Sequence, residues 1–400
     1  MGVRTGYKQS EVGVIPADWE VRPVGEVFSI CDELRVPLSE TVRQSMGGPY
    51  PYYGPTGILG HIDQYHLDGE YAIIGQDGSH FLKWRDTPQT HLLRGKFTVN
   101  NHVHLIKGSL QYLAAWFAAS FCFRDLTRYL TRQTADRYQL TKQALSRIPC
   151  ALPPAAEQHG IVAMLSDAEA VLAGMDALLA KAGAVKHALM RQLLTGTRRL
   201  AGFRGDWTVT PLEKLGDCST GGTPPTERPE CWGGDLIWLP SGRIHGQILA
   251  APEPADAAIT RVGLRMASAR RITAPAVLIA VSGVTCGEVA LLRFDAATNQ
   301  CVVAVEPHPG VDAQFLFYAL AMKRADILAR QNGSTRGRTC LQAVKKISMI
   351  VPGLDEQKTI AAVLAETDAE IAALEGQRGQ ARALSRALHQ ELLTGRKRLR

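Results

Sequence analysis

The sequence predicts an α+β protein in which two globular domains are separated by two long α-helices. The helices are predicted to pair as an antiparallel coiled coil with pseudo-two-fold symmetry. Three observations support this prediction: a long internal repeat, a heptad pattern inside each copy, and short β-like runs between the copies. A chain of 400 residues is long enough for two ordinary domains with connecting elements.

The internal repeat is the main evidence for two similar halves. The first copy opens with Glu157-Gln158 and ends with Leu193-Leu194-Thr195-Gly196, and the second runs from Glu356-Gln357 to Leu392-Leu393-Thr394-Gly395. The offset is 199 residues at both ends, so the copies align without a gap. A repeat of this period is too long for a solenoid and indicates two half-molecules. A two-fold molecule suits a two-fold target, of which duplex DNA is the obvious example.

Each copy carries apolar or small residues at alternating steps of four and three, the a/d seam of a coiled coil. In the first copy these include Ile161, Leu165, Ala168, Leu172, Met175, Leu179, Ala182, Leu189 and Leu193. In the second the same phase holds Ile360, Leu364, Thr367, Ile371, Leu374, Arg378, Ala381, Ser385, Leu388 and Leu392. The polar Thr367, Arg378 and Ser385 make this second seam imperfect. The matched phase favours pairing of the two helices with each other. Separate packing of each helix on a globular core is the alternative.

The boundaries of the helices follow from their end signals. Neither stretch contains proline, and each ends at a glycine, Gly196 or Gly395, followed by basic residues. Each helix should span about 40 residues, or roughly 60 Å. We therefore divide the chain into a first domain (1–155), a central helix (156–200), a second domain (201–353) and a C-terminal helix (354–400).

The two predicted domains share their beginnings and ends but differ in between. Asp18-Trp19-Glu20-Val21 corresponds to Asp206-Trp207-Thr208-Val209, and Leu152-Pro153 corresponds to Val351-Pro352. Predicted strands lie at 71–74, 103–106, 276–281 and 301–305, and helical segments lie at 110–130 and 313–329. This pattern indicates one architecture that carries two different surfaces.

The composition describes an ordered globular protein, with 46% hydrophobic and 21% charged residues. The net charge of +7 favours a polyanionic partner. The eight cysteines contain no C-x-x-C pair, which favours neither a zinc site nor a disulfide framework. The first twenty residues do not resemble a signal peptide, and no apolar run approaches the ~18 residues of a membrane span. We expect a cytoplasmic protein.

The duplicated Glu-Gln…Leu-Leu-Thr-Gly helices carry a family resemblance together with two further motifs. These are Gly13-Val14-Ile15-Pro16-Ala17-Asp18-Trp19 and Thr220-Gly221-Gly222-Thr223-Pro224-Pro225, the latter followed by Trp232-Gly233-Gly234-Asp235-Leu236-Ile237-Trp238. In this order the motifs resemble the DNA specificity subunit of type I restriction-modification systems, over essentially the whole chain.

The resemblance implies that 1–155 and 201–353 are target recognition domains, each reading one half of a bipartite asymmetric DNA site. It also implies that the two helices set the gap between the half-sites and dock two methyltransferase subunits. Restriction subunits with motor and nuclease activity are further expected partners. AdoMet, ATP and Mg²⁺ are expected on those partner subunits and not on this chain.

Specific reading of DNA needs side chains that reach base edges, while Lys and Arg on the phosphates supply affinity. The candidates in the first domain are Tyr52, Tyr53, Lys83, Arg85, His102, Arg132 and Arg137. Those in the second are Arg228, Ser241, Arg243, His245, Ser334, Thr335, Arg336 and Arg338. Arg336 lies 199 residues after Arg137, which favours an equivalent role for this pair. For Tyr52 and Tyr53 packing is an equal alternative, and for any single Arg a solvated surface charge is one.

No catalytic, cofactor-binding or metal-binding residues are predicted. The sequence contains no G-x-x-x-x-G-K-[ST] loop for ATP and no Asp/Asn-Pro-Pro-Tyr/Phe motif of an adenine methyltransferase. The histidines between His61 and His104 match no common metal-ligand spacing. The chain is therefore predicted to be the DNA reader of an enzyme complex. A nuclease or methyltransferase with unrecognised motifs, and a protein-assembly scaffold that never touches DNA, remain the alternatives.

Overall fold

The computed structural model describes residues 4–134, 137–330 and 341–399. It divides into two compact units. Unit 1 is Met1–Asp176 with Gln377–Arg400, and unit 2 is Ala177–Gly376. Each unit contains one globular domain together with about half of each long helix. The boundaries between the units therefore fall within the helices and not at their ends.

The domain of unit 1 is built on one six-stranded sheet. Its strands are β1 (Tyr7–Ser10), β2 (Gly13–Pro16), β3 (Glu20–Pro23), β4 (Ser29–Ile30), β5 (Tyr50–Gly54), β6 (Gly57–Ile62), β7 (Leu67–Gly75), β8 (Thr90–Val99), β9 (Val103–Lys107), β10 (Thr131–Arg132), β11 (Tyr138–Gln139) and β12 (Pro149–Leu152). Its helices are α1 (Val24–Val27), α2 (Glu40–Ser45), α3 (Ala114–Phe121), α4 (Lys142–Arg147) and the long α5 (Ala155–Leu193), which continues into unit 2.

The six strands lie in the order β4-β9-β7-β8-β5-β6. β7 pairs antiparallel with β8 and β9, and β5 joins β8 in parallel. β12 pairs with β3, which brings the end of the domain back to its start. Helix α3 packs on this sheet through Trp116, Phe117 and Phe121, which are fully buried. Burial of such aromatic side chains supplies much of the stabilisation of a core.

The domain of unit 2 contains a five-stranded sheet and a three-stranded sheet. Its strands are β13 (Thr208–Pro211), β14 (Gly216–Thr220), β15 (Trp232–Leu239), β16 (Ile248–Leu249), β17 (Ala257–Ile259), β18 (Ala276–Ala280), β19 (Val289–Leu292), β20 (Ala296–Thr298), β21 (Val302–Pro307) and β22 (Ser348–Val351). Its helices are α6 (Arg261–Met266), α7 (Ala313–Ala321), α8 (Arg324–Ala329), α9 (Leu341–Lys345) and the long α10 (Leu354–Leu393), whose last turns belong to unit 1.

The five-stranded sheet has the order β14-β21-β18-β19-β16, and the three-stranded sheet has the order β17-β15-β20. β13 pairs with β22 as β3 pairs with β12 in unit 1, so both domains close their ends in the same way. Helix α7 packs on β18 and β19 through Phe315 and its neighbours. The predicted strands at 71–74, 103–106, 276–281 and 301–305 are confirmed in β7, β9, β18 and β21.

The helical segment predicted at 110–130 is shorter in the structure. Helix α3 ends at Phe121, and the Asp125 carboxylate accepts hydrogen bonds from the Thr127 amide and hydroxyl, at 3.0 and 2.7 Å. Such a local side-chain bond competes with helical hydrogen bonding and turns the chain. The turn places Leu126 in the core. The segment predicted at 313–329 is likewise divided, into α7 and α8.

The long helices have the predicted length, and within each unit they run antiparallel. In unit 1, Glu169 faces His389 and Asp176 pairs with Arg378, so residue numbers rise along α5 as they fall along α10. In unit 2, Lys186 of α5 pairs with Asp368 of α10, so the residue numbers again rise along α5 as they fall along α10. Seven predicted seam residues are buried (Ile161, Leu165, Leu193, Ile360, Leu364, Ser385, Leu392), and Leu172, Leu189, Ile371 and Leu388 are half-buried.

The Glu-Gln pair that opens each helix makes two different attachments. The amide of Gln158 bonds to the backbone of Gln111, Leu113 and Pro153, and that of Gln357 bonds to Gly310, Asp312 and Pro352. The glutamine therefore fixes the start of each helix to the loop before α3 or α7 of its own domain. Both amides are buried, and their polar atoms are satisfied as burial requires.

The glutamate of the pair binds an arginine that follows the end of the other long helix. In unit 1 the Glu157 carboxylate accepts hydrogen bonds from Arg398 at 2.6 and 2.8 Å and from the Trp19 indole at 3.0 Å. Arg398 also donates to both carboxylate oxygens of Asp18. In unit 2 the Glu356 carboxylate receives Arg199 at 3.0 and 2.6 Å. The bidentate geometry is the strong form of this pair.

The predicted glycine ends are confirmed by the backbone. Gly196 and Gly395 have φ angles of +72° and +67°, the left-handed region that glycine adopts without strain. The chain then turns back, and the amides of Arg198 and Lys397 donate to the carbonyls of Gln192 and Glu391. This turn directs the arginine that follows it toward the glutamate of the other helix.

The glycines of 220–225 are required by close packing. A Cβ on Gly221 would lie 1.8 Å from the Thr298 carbonyl oxygen, and one on Gly222 would lie 1.9 Å from that of Ala267. The Trp238 indole donates to the Gly222 carbonyl, and the Trp232 indole donates to that of Pro225. This motif therefore folds the loop onto β15 and β20.

Replacing Arg398 with Met should lower the free energy of unfolding of unit 1 by about 2 kcal/mol, since it leaves the buried Glu157 carboxylate without its charge partner. Urea unfolding followed by tryptophan fluorescence measures this change. Arg396→Met is the matched control, because Arg396 is 59% exposed and lies 3.8 Å from Glu391. The control should change stability by less than about 0.5 kcal/mol. Equal stability of the two variants would contradict the assignment.

Candidate nucleic-acid interface

Two of the predicted DNA-contacting residues of the first domain meet on one carboxylate. Asp77 follows the end of β7, and its side chain binds Arg137 Nη2 at 2.5 Å and His102 Nδ1 at 3.1 Å. The Asp77 carboxylate is mostly buried, while Arg137 and His102 are about half exposed. The carboxylate thus holds two cationic or hydrogen-bonding groups at the surface with their free edges in solvent.

The electrostatics of this cluster favour an ionised carboxylate. Partial burial raises the pKa of Asp77, but the hydrogen bond from Arg137 and the charge of His102 outweigh burial and bring the pKa below its usual value. An anchored guanidinium loses less side-chain freedom on binding a phosphate or a base edge than a mobile one does. The cluster therefore suits a pre-positioned contact to DNA.

Of the two candidate tyrosines, Tyr52 lies in the core and Tyr53 lies at its edge. Tyr52 is fully buried, and its hydroxyl donates to the Val36 carbonyl at 2.8 Å and accepts from the Leu38 amide at 2.9 Å. This geometry favours the packing alternative for Tyr52, because the side chain has no face left for a ligand. Tyr53 is half-buried and packs edge-on against Phe97 at 6.0 Å.

The remaining candidates of the first domain lie at the surface. Lys83 and Arg85 are exposed, and the Arg85 guanidinium lies over the Trp84 ring at 4.8 Å. Arg132 is exposed on β10, and its Nε donates to the Thr134 carbonyl at 3.1 Å. β10 pairs with β11, and Gln139 of β11 forms a bridge with Asp77. Arg132 therefore belongs to the same loop region as the Asp77 cluster.

The candidates of the second domain are less concentrated. Arg243 is held by Asp256 at 2.7 and 3.2 Å and by Glu253 at 3.0 Å, so its charge is largely compensated. Ser241 shares the short helical turn Ser241–Arg243, and its carbonyl accepts from Thr285. His245 and Arg228 are exposed. Ser334, Thr335, Arg336 and Arg338 lie outside the described residues, so the pairing of Arg336 with Arg137 stays a prediction.

The structure adds a basic surface in the second domain that the sequence reasoning missed. Arg261 and Arg265 lie four residues apart on α6, and Arg270 follows the helix. All three are exposed, and none forms an ion pair with another residue in the described ranges. Arg228 lies beside this helix, with Nη1 at 4.0 Å from Met266 Sδ. The sequence signal was a run from 257 to 287 that holds several arginines and no carboxylate.

Residues 4–134, 137–330 and 341–399 contain no group of three or more His, Cys, Asp or Glu side chains that could hold a metal ion. Within the same part of the chain, no helix is long and apolar enough to cross a membrane.

The fold is a duplicated scaffold with a different basic surface on each domain, as in a DNA-specificity protein, and the comparisons name its family. The family model of the type I restriction modification DNA specificity domain matches twice, over residues 16–179 and 204–381. The chain therefore belongs to the family of type I restriction modification DNA specificity domains. Each match covers one globular domain and continues into the long helix that follows it.

Individual relatives agree with this assignment. A putative type I restriction enzyme specificity subunit of Haemophilus influenzae is 33% identical over 153 residues, which is 36% of each chain. That alignment spans only about a third of the relative. A putative specificity subunit of Methanocaldococcus jannaschii is 22% identical over 98% of this chain and 97% of its own length.

A solved structure shows the same fold over the whole chain. The crystal structure of the type I restriction-modification S subunit from M. genitalium covers 98% of both chains with a TM-score of 0.63, at 13% sequence identity. The fold is therefore shared between two sequences that have diverged widely.

Replacing Asp77 with Asn should lower the stability of the first domain by about 1 kcal/mol at pH 7, since both charge-assisted hydrogen bonds weaken. Because the folded pKa is depressed, the ionised carboxylate contributes fully above its unfolded pKa of about 3.9. The contribution is lost as the pH falls through the lower folded pKa. Urea midpoints of wild type and variant should therefore converge below pH ~4.

The exposed Asp63→Asn is the control for this pH series and should match wild type at every pH. A difference between wild type and Asp77→Asn that persisted unchanged into strong acid would show that shape and not charge is responsible.

Proposed function

We propose that this chain is the DNA sequence-specificity subunit of a type I restriction-modification complex. Each globular domain reads one half of a bipartite asymmetric DNA site, and the paired helices set the gap between the half-sites. The observation that carries this proposal is one scaffold bearing two different surfaces. The Glu–Arg pairs, the Gln anchors and the closing β-pairs recur in both units. Among the described residues, the Asp77 cluster lies in the first domain and the α6 arginines lie in the second.

The two surfaces suit different parts of DNA recognition. Exposed arginines such as Arg261 and Arg265 provide charge for phosphates, which gives affinity without sequence information. Arg137 and His102 offer donors in a fixed orientation, as recognition of base edges in the major groove requires. Two unlike surfaces on one scaffold predict two unlike half-sites.

The partners follow from the same assignment. The long helices would dock two methyltransferase subunits, and restriction subunits with motor and nuclease activity would complete the complex. AdoMet, ATP and Mg²⁺ would bind to those subunits, so this chain performs no catalytic step itself. Since restriction and modification act on intracellular DNA, we place the complex in the cytoplasm.

Inserting one heptad into both α5 and α10, at positions that face each other within one unit, should lengthen the recognised gap by about 3 base pairs. A heptad adds about 10 Å of helix, and the duplex rises 3.4 Å per base pair. Methylation mapping in cells that carry the reconstituted complex reads the site directly. A heptad inserted into one helix alone is the control and should abolish recognition, because the longer helix keeps its a/d pattern but no longer matches its partner at both ends. An unchanged gap with the double insertion would refute the spacer role.

Replacing Arg261 and Arg265 with Gln should weaken DNA binding uniformly across sequences and reduce the slope of log K against log salt by about 2, one for each lost phosphate contact. Fluorescence anisotropy of the assembled complex at several salt concentrations measures both quantities. Arg191→Gln, on the exposed face of α5, is the matched control and should leave the slope unchanged. A loss confined to one DNA sequence would instead assign the two arginines to base reading.

A further inference from the structure

Unit 1 contains a cleft of about 1000 Å³ that shares only Arg85 with the candidate DNA contacts. Its walls are α3, the hairpin of β1 and β2, the segment that contains Trp84, and the last turns of α10. The cleft lies entirely within unit 1. A volume of this order is at the upper end of the range of small-molecule sites, ~300–1000 Å³.

The lining of the cleft is strongly cationic. Five arginines line it, whereas Glu391 is the one carboxylate among the residues that form its walls. The arginines are Arg4, Arg85, Arg124, Arg386 and Arg396. Glu391 lies 3.8 Å from Arg396, and Arg386 lies 3.6 Å from the exposed Asp86. Exposed pairs at these distances contribute little, so their arginines are free to turn toward a ligand.

Among the arginines of the cleft, Arg124 is the one that is partly buried without a hydrogen-bond acceptor in the described part of the chain. It follows α3, and its guanidinium lies over the Phe121 ring at 4.8 Å. The guanidinium forms no hydrogen bond or ion pair with another residue in the described ranges, although its surroundings are sufficiently apolar that burial lowers its pKa. A guanidinium carries five N–H donors and stays charged, so partial burial without acceptors is costly. An anionic ligand in the cleft would supply the missing hydrogen-bond acceptors.

Aromatic rings lie beside the arginines. Arg85 covers Trp84 at 4.8 Å and Arg4 covers Tyr7 at 5.5 Å, while Phe123 lies edge-on to His389 at 6.1 Å. Planar guanidinium and aromatic faces are the surfaces on which nucleobases stack. The cleft therefore combines surfaces for a planar ring with charges for a phosphate.

Unit 2 differs from unit 1 at the positions equivalent to the walls of this cleft. At the repeat offset of 199, Ala119 and His389 of the cleft correspond to Tyr318 and Met190, which are buried in the core of unit 2. The Tyr318 hydroxyl also donates to Asp368 at 2.7 Å. Arg124 corresponds to Lys323, which is compensated by Asp326 at 3.0 Å. At the equivalent positions unit 2 therefore has a buried tyrosine and a compensated lysine, where unit 1 has Ala119 and Arg124, which is unpaired among the described residues.

We propose that this cleft binds a nucleoside phosphate, with its base against the rings of Trp84 and Phe123 and its phosphates on Arg124 and the neighbouring arginines. The phosphate could belong to a free nucleotide or to a nucleic acid strand, and the two sources share this chemistry. Neither Asp77 nor the two residues that it binds line the cleft, so the proposed site is distinct from the Asp77 cluster.

Isothermal titration calorimetry of the full chain with ATP, AMP and inorganic phosphate tests the proposal without requiring DNA or partner subunits. We expect AMP and ATP to bind and phosphate to bind more weakly. Arg124→Gln should weaken nucleotide binding about tenfold or more, because a charge-assisted hydrogen bond is lost. Ala119→Tyr introduces the side chain found in unit 2 and should abolish binding. Lys323→Gln is the matched control in unit 2 and should have no effect.

Competition with a short single strand and with a nonspecific duplex distinguishes the two sources. Binding of AMP that survives a saturating duplex supports a free nucleotide. Displacement of AMP, with DNA affinity also reduced by Arg124→Gln, supports a nucleic acid strand in the same cleft.

Absence of AMP and ATP binding at millimolar concentration overturns the proposal, as does binding that neither cleft variant changes. Loss of methyltransferase-subunit assembly in Ala119→Tyr, with no nucleotide binding in wild type, would assign the cleft to a protein partner. The AMP and ATP titrations are independent of whether the chain reads DNA.

Discussion

The buried pair of a helix-opening glutamate with an arginine from beyond the end of the other helix organises each half of this protein. Glu157 and Glu356 are only 7% and 3% exposed, and a carboxylate in such a place must be neutralised and hydrogen-bonded. Arg398 and Arg199 provide both requirements at once through a bidentate contact. Because the acceptor opens one long helix and the donor follows the end of the other, the charge requirement favours the antiparallel register in each unit.

The neighbouring glutamine gives this register its relation to the globular domain. Gln158 and Gln357 bond to the loops that precede α3 and α7, so the start of each helix is attached to the sheet on which that short helix packs. The two adjacent side chains therefore have separate tasks: one joins the helix to its domain and the other joins it to the partner helix. Loop residues outside this framework can vary without disturbing either attachment, which is how one scaffold carries two surfaces.

The fold was largely predictable because its signals are periodic or repeated. The heptad seam and the terminal glycines gave the lengths of α5 and α10, and the short apolar runs gave β7, β9, β18 and β21. The segment at 110–130 was predicted as one helix because its composition is apolar, and the hydrogen bonds between Asp125 and Thr127 that end the helicity are a local competition that periodicity does not reveal. The polar seam position Arg378 was predicted as an imperfection, and it is paired with Asp176.

The sequence by itself determined the duplication, the helices and the family, since these depend on residue spacing along one chain. Only the tertiary structure decided which side chains meet. It placed Tyr52 in the core, gathered His102 and Arg137 on Asp77, and brought Arg261 and Arg265 to a surface beside Arg228. It also showed that Ala119 lines an open cleft, whereas its repeat equivalent Tyr318 is buried in the core of unit 2. Such contacts join residues far apart in the chain, and loop geometry, which has no period, decides them.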